Sequence, residues 1–131
     1  MNFQTISNNI TTYFNILANA NSWIVRYDND PRSTPNNISW SETNIDFGES
    51  QQYEIGIDSY RITGIFIVMI HTNINIGISD GLGIANIIVN NFTNLILENG
   101  VRFQVPKIKN VGRVDNMWQI NVVCPFVCDT N

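Results

Sequence analysis

The stretch from Tyr60 to Ile96 constrains this chain more than any other. Gly64 to Ile70 is an unbroken apolar run, rich in β-branched and aromatic residues and too short to span a bilayer. That pattern predicts a strand buried on both faces. Ser79, Asp80, Gly81, Leu82 and Gly83 then predict a cap and a turn. Leu82, Ala85, Val89, Phe92 and Ile96 recur at helical spacing, with Asn86, Asn90, Asn91 and Asn94 mostly off that line, so an amphipathic helix is expected next. A strand of this kind requires partner strands, and the helix requires a sheet to lie on.

The remaining chain can supply both. Its 131 residues suit one domain with one core, and a 44% hydrophobic fraction builds that core without disulfides or metal. Only 14% of residues are charged, whereas about 25% is usual. Asparagine takes the place of the missing charge: the chain holds 21 Asn and 21 Ile, both encoded by A/T-rich codons, which reads as the signature of a low-GC genome rather than of a function. A net charge of −4 and seven scattered basic residues argue against sequence-independent DNA binding, which depends on Lys and Arg at phosphates. An acidic surface repels nucleic acid and would let it pass without sticking. Met1 to Ile6 carries neither a basic nor an apolar leader region, so no secretory signal is expected, and no apolar run reaches the roughly 20 residues a bilayer demands.

In chain order, residues 2–20 predict a helix, with Phe3, Ile6, Ile10, Tyr13, Phe14 and Leu17 on one stripe and Asn2 or Thr5 as cap. Trp23 to Tyr27 predicts a short strand. Asp28 to Asn37, with Pro31 and Pro35, predicts a loop. Ile38 to Phe47 alternates over its first half like a half-exposed strand, and Gly48 to Gln52 reads as a turn or mobile tip. Tyr53 to Ile57 can begin a strand that Asp58 and Ser59 interrupt. Gly100 is placed to cap the central helix at residues 98–100. Val101 to Val105 alternates as a strand that Pro106 ends, and Lys107 to Val114 suits a second short or edge strand. Asp115 and Asn116 predict a turn. Trp118, Ile120, Val122, Cys124 and Phe126 then share one face of a last strand, which Pro125 would end at a sheet edge.

The expected fold is therefore α+β, a single domain over residues 1–131. A mixed, mainly antiparallel sheet packs against an N-terminal helix and a central helix.

No catalytic or metal constellation stands out. Gly81 and Gly83 sit where a dinucleotide fingerprint would, but Asn86 occupies the third glycine position, so a tight turn into a helix explains them better. Cys124 and Cys128 are spaced by three residues and have no partner pair, unlike a zinc site. His71, the sole histidine, lacks a nucleophile motif beside it. Nothing pairs Asp28, Asp30, Glu42 or Asp46 as acid and base. Trp23 and Trp118 suit core packing, whereas Trp40 suits either the core or a binding surface.

Taken together, these segments resemble the tail-terminator-like family of tailed bacteriophages. The resemblance rests on the helix leading to Trp23, the loop with Pro31 and Pro35, and the pattern Tyr60, Gly64, Ile65, Phe66. It continues through Gly81, Gly83, Ala85 and Phe92, and closes with Trp118, Val122, Pro125 and Phe126. It covers nearly the whole chain, which departs from it in its Asn-rich, Ala-poor composition and at Trp40. The resemblance implies a non-enzymatic virion protein, assembled in the host cytoplasm, without cofactor, metal or membrane partner. Such a subunit forms a ring, of six copies in that family, which ends tail-tube polymerisation and joins the tube to the head connector. Its partners would be further copies, the tube protein and a head-closure protein, with DNA passing through unbound. A head-closure or neck connector protein is the alternative. Pro31, Pro35, Trp40, Phe47 and Tyr53 would be the candidate subunit contacts, with loops 28–37 and 46–59 adding strands to neighbours.

Overall fold

The computed structural model describes residues 3–33, 35, 38–52, 60–98 and 100–130. Tyr53, the segment from it to Ser59 and the proposed cap Asn2 lie outside these. The element order is α1 (Phe3–Ala20), β1 (Val25–Arg26), β2 (Trp40–Gln52), β3 (Tyr60–Asn73), α2 (Ser79–Phe92), β4 (Val101–Phe103), β5 (Lys107–Val114) and β6 (Met117–Thr130). The sheet runs β1-β2-β3-β6-β4, and β5 also pairs with β6 on the β4 side. Only β1 and β2 are parallel; all other neighbours are antiparallel. This is the expected α+β architecture, with both helices on one face of a mostly antiparallel sheet.

The core follows from the strand period of two. Ile62, Phe66, Val68 and Ile70 of β3 point the same way as Ile120, Val122, Cys124, Phe126 and Cys128 of β6, and all are buried. Against them α1 lays Ile6, Ile10, Phe14 and Ala18, and α2 lays Gly81, Ala85, Ile88 and Phe92. An aromatic chain runs through the centre: Phe14 meets Phe66 edge-on at 5.4 Å, Phe66 lies 5.5 Å from Phe92, and Phe92 meets Phe103 at 5.0 Å. Burying each such ring contributes about 1.5–3 kcal/mol.

Several expectations are corrected. The run Gly64–Ile70 is covered on one face only: Ile65, Ile67 and Met69 are half-buried, because both helices share the opposite side. Gly48 to Gln52 is no turn; β2 continues through it with a register shift between Phe47 and Ser50. Thr5 is inside α1 rather than at its cap. Only Val25 and Arg26 of the Trp23 segment pair in the sheet.

The central helix begins and ends earlier than its stripe suggested. Ser79 is already helical and Ile78 precedes it without a side-chain cap, so Gly81 and Gly83 are helical residues; the turn before them uses Asn75 and Gly77 at φ 67° and 81°. At the far end Thr93 turns out of the helix, its Oγ1 donating to the Val89 carbonyl at 2.6 Å. Ile96, expected on the buried stripe, is 70% exposed, because residues 95–97 pair with β4 instead: Phe103 N–H donates to Leu95 O at 2.7 Å and Leu97 N–H to Val101 O at 2.8 Å. Gly100 does adopt a left-handed φ of 89°, but in the turn of this hairpin.

Pro125 does not end its strand at an edge. β6 continues to Thr130 between β3 and the outer strands. The proline is tolerated because it sits where the outer neighbour changes, β5 ending its pairing at Val123 and β4 beginning at Phe126.

Candidate assembly surface

Antiparallel partners share a face, so the register defines what the helices leave open. Three cross-strand rows fill the middle of that face. Glu42, Met69, Asn121 and Lys109 form the first, Asn44, Ile67, Val123 and Lys107 the second, and Asp46, Ile65 and Pro125 the third. Val127 extends the apolar centre beside Thr63. Ile65, Ile67, Met69, Val123, Pro125 and Val127 are all half-buried, and none belongs to the core cluster. A contiguous apolar patch rimmed by polar residues marks an interaction surface.

The rim carries charge of opposite sign on its two sides. Glu42 and Asp46 line the β2 side, and Lys107 and Lys109 line the β5 side. Arg26 lies beside Glu42 on β1, but its Nε donates to the Ser33 carbonyl at 3.3 Å. At one end Asp129 accepts two bonds from Arg61, at 2.7 and 3.0 Å, and one from Arg102 at 2.7 Å. The Arg61 hydrogen bond leads in holding the Asp129 carboxyl below the usual carboxylate range. At the other end His71 stacks on Trp40, ring centroids 4.3 Å apart, and its Nε2 lies 3.1 Å from Glu42 Oε1. Trp40 and His71 are buried, and Trp40 Nε1 has no hydrogen-bond partner among the described residues.

A shallow cleft of about 430 Å³ crosses one end of this face from β2 to beyond β6, lined by Asp46, Gly48, Thr63, Ile65, Gln104 and Val127 among others. It brings together no nucleophile, base and acid. Among the described residues no group of three His, Cys, Asp or Glu side chains could hold a metal ion, and no helix is long and apolar enough to cross a membrane.

The residues that carried the family resemblance meet in space although they are scattered in sequence. Gly64 and Phe126 are direct cross-strand partners, and a Cβ on Gly64 would lie 2.5 Å from Phe126 Cζ. The ring fills the place of the missing side chain, and it also meets Phe103 edge-on at 5.7 Å. Gly81 lets α2 approach β6, since its Cβ would lie 2.8 Å from Ile120 Cδ1; Gly83 faces open space. Trp23 is half-buried, 6.2 Å from Phe14. Trp118 packs against the core edge and donates Nε1–H to Asn110 Oδ1 at 2.8 Å. Phe66 and Phe92 are core.

The candidate contacts do not gather on one surface. Phe47 points to the helix side, meeting Phe3 at 4.8 Å and Phe126 at 6.1 Å. Pro31 is exposed and Pro35 half-buried. The loop holding Pro31 is tied down: Asp28 accepts from Ile45 N–H and Asn44 Nδ2, both at 3.2 Å, and Asp30 pairs with Arg32 at 2.6 Å. Sequence reasoning missed the open face itself. Its signal was present in the odd-numbered residues Ile65, Ile67 and Met69, which the apolar run made inseparable from the core set.

No family model matches the chain, and no curated protein is significantly similar to it.

Proposed function

We propose that this protein is a structural subunit of a tailed-phage virion, a tail terminator whose ring caps the tail tube and joins it to the head connector. The observation that carries the reading is the open apolar face of the sheet, with Ile65, Ile67, Met69, Val123, Pro125 and Val127 at its centre. A subunit made for assembly keeps such a surface for other proteins, whereas an enzyme needs convergent, perturbed titratable groups in a cleft. The resemblance supplies the kind of assembly, and its signature residues have structural work to do: Gly64, Phe126, Phe66 and Phe92 interlock in the core. The low content of basic residues suits a channel that DNA must slide through.

Electron microscopy of the purified protein and of the virion tests the reading. A six-fold ring at the head-proximal end of the tube is the expected result. A ring of other symmetry seated against the portal would instead make the protein a neck connector. A protein that labels no particle would end both readings.

A further inference from the structure

The open face points to its own occupant through its charge pattern. Within the row Glu42, Met69, Asn121, Lys109 the two ends carry opposite charge, and the next row ends in Asn44 and Lys107. A two-fold axis lying close to the strand direction, midway between β3 and β6, exchanges the two ends of every row while keeping each row at its own level. It sets Glu42 of one copy over Lys109 of the other, and Lys109 over Glu42. Ile67 then faces Val123, and Ile65 faces Pro125. An axis across the strands would set β2 over β2 and β5 over β5, opposing like charges. We infer that in solution two copies of this chain pair by their open sheet faces, about a two-fold axis running nearly along the strands.

Size and geometry agree with this pairing. From Arg61 to His71 the strands run roughly 34 Å, and four strands span about 19 Å, a flat footprint on the order of 650 Å². Stable interfaces bury about 800 Å² of accessible surface on each partner, and side-chain relief adds to a flat footprint. Two twisted sheets stacked in this way cross at about 30° with interdigitating side chains. Edge-to-edge pairing is disfavoured by comparison. β2 has a bulge between Phe47 and Ser50, and β5 has one between Asn110 and Gly112 together with two lysines, devices that blunt edge strands.

An isologous contact closes at two copies. The pair is therefore a solution form distinct from the ring. It occupies the face on which the ring reading rests and must part before that face meets a ring or tube neighbour, and it stands whether or not the protein belongs to a virion.

Sedimentation velocity on the full chain tests it, with Glu42→Lys and Lys109→Glu made separately and circular dichroism confirming that each folds. The wild type is expected to sediment as a dimer at tens of micromolar. Each single variant opposes like charges twice and is expected to weaken the dimer at least tenfold. An equimolar mixture of the two variants restores both contacts, so the dimer is expected to return. Ile67→Lys, at the centre of the face, gives a monomer that no mixture rescues. A wild type that stays monomeric at every concentration overturns the proposal. So does a dimer that survives Ile67→Lys, or a pair of folded single variants whose mixture does not re-associate. A ring in the virion together with a monomer in solution would sink the pairing alone; a dimer without any virion ring would sink only the functional reading.

Discussion

The space beside Gly64 belongs to Phe126, whose ring lies over the glycine from the neighbouring strand. Adding a Cβ would bring it to 2.5 Å from Phe126 Cζ and 2.9 Å from the Asp46 carbonyl oxygen. The ring could swing aside, but it is packed against Phe103 and Phe47, and the Asp46 carbonyl belongs to the β2–β3 ladder. Gly64→Ala is therefore expected to lose about 1–3 kcal/mol of stability, read from the midpoint of urea unfolding at unchanged slope. Cys124 makes a second prediction. Burial pushes its thiol up to about 12 from an ordinary 9.0, so the folded protein holds this proton after the unfolded chain has lost it. With fewer protons bound in the unfolded state, stability must fall as pH rises from about 9 toward about 12, by about 1.4 kcal/mol per pH unit for this group. Cys128 adds to the fall, its thiol also raised chiefly by burial. Cys124→Val should remove about 1.4 kcal/mol of the decline between pH 8 and 10, where the unfolded thiol passes through its ordinary 9.0, as measured by denaturant unfolding. An unchanged slope would mean the thiol ionises equally in both states.

Two glycines of one helix separate what α2 owes to packing from what it owes to propensity. Gly83 lies mid-helix with open space where a side chain would go, so Gly83→Ala is expected to stabilise by about 0.5–1 kcal/mol through backbone entropy alone. Gly81 faces Ile120 Cδ1, the movable end of a side chain, so alanine there trades a helix gain against a small repacking of Ile120. Gly81→Leu has no such escape and should cost about 1–3 kcal/mol by forcing α2 off β6. Thermal unfolding of the three variants orders them as Gly83→Ala above wild type and Gly81→Leu well below. The same helix marks where sequence reading succeeds. Element types were legible wherever one period dominated: the stripe of α1, and the alternation from Trp118 to Phe126. Boundaries were lost where a local hydrogen bond outweighed the pattern, as when Thr93 and the Leu95–Phe103 pairing ended α2 before Ile96. The open face stayed hidden because an unbroken apolar run carries no mark of which side the helices will cover. That choice is made by tertiary packing, outside the run itself.

For the molecule as a whole, the sheet order fixes which parts open together. β3 has partners on both sides, β2 and β6, along most of its length. β6 is bordered by β3 on one side and by β5 and then β4 on the other. Their helix-facing side chains, Ile62 to Ile70 and Ile120 to Cys128, form the core with Phe14 and Phe92. Breaking any of these backbone hydrogen bonds therefore requires exposing that core, which is unfolding of the whole domain. β5 differs: all but one of its residues are exposed, among the described residues it pairs on one edge only, with β6, and it bears no core side chain. It can separate from β6 while the rest stays folded. Hydrogen exchange should accordingly fall into two classes. Amides of β3 and β6 facing each other should exchange only with the global unfolding free energy, and should slow or quicken together when Gly83→Ala or Gly64→Ala shifts that energy. Amides of β5 should exchange faster and ignore both substitutions. The face-to-face pair sharpens the comparison, because it covers Lys107 and Lys109. Protection in β5 should then rise with protein concentration, and that of the central strands should rise with it, because pairing of folded copies adds to the global unfolding free energy. The two classes are therefore compared in dilute, monomeric samples. If β5 proved as slow as β6 in a dilute monomeric sample, it would belong to the core folding unit, and the division argued from its exposure would be wrong.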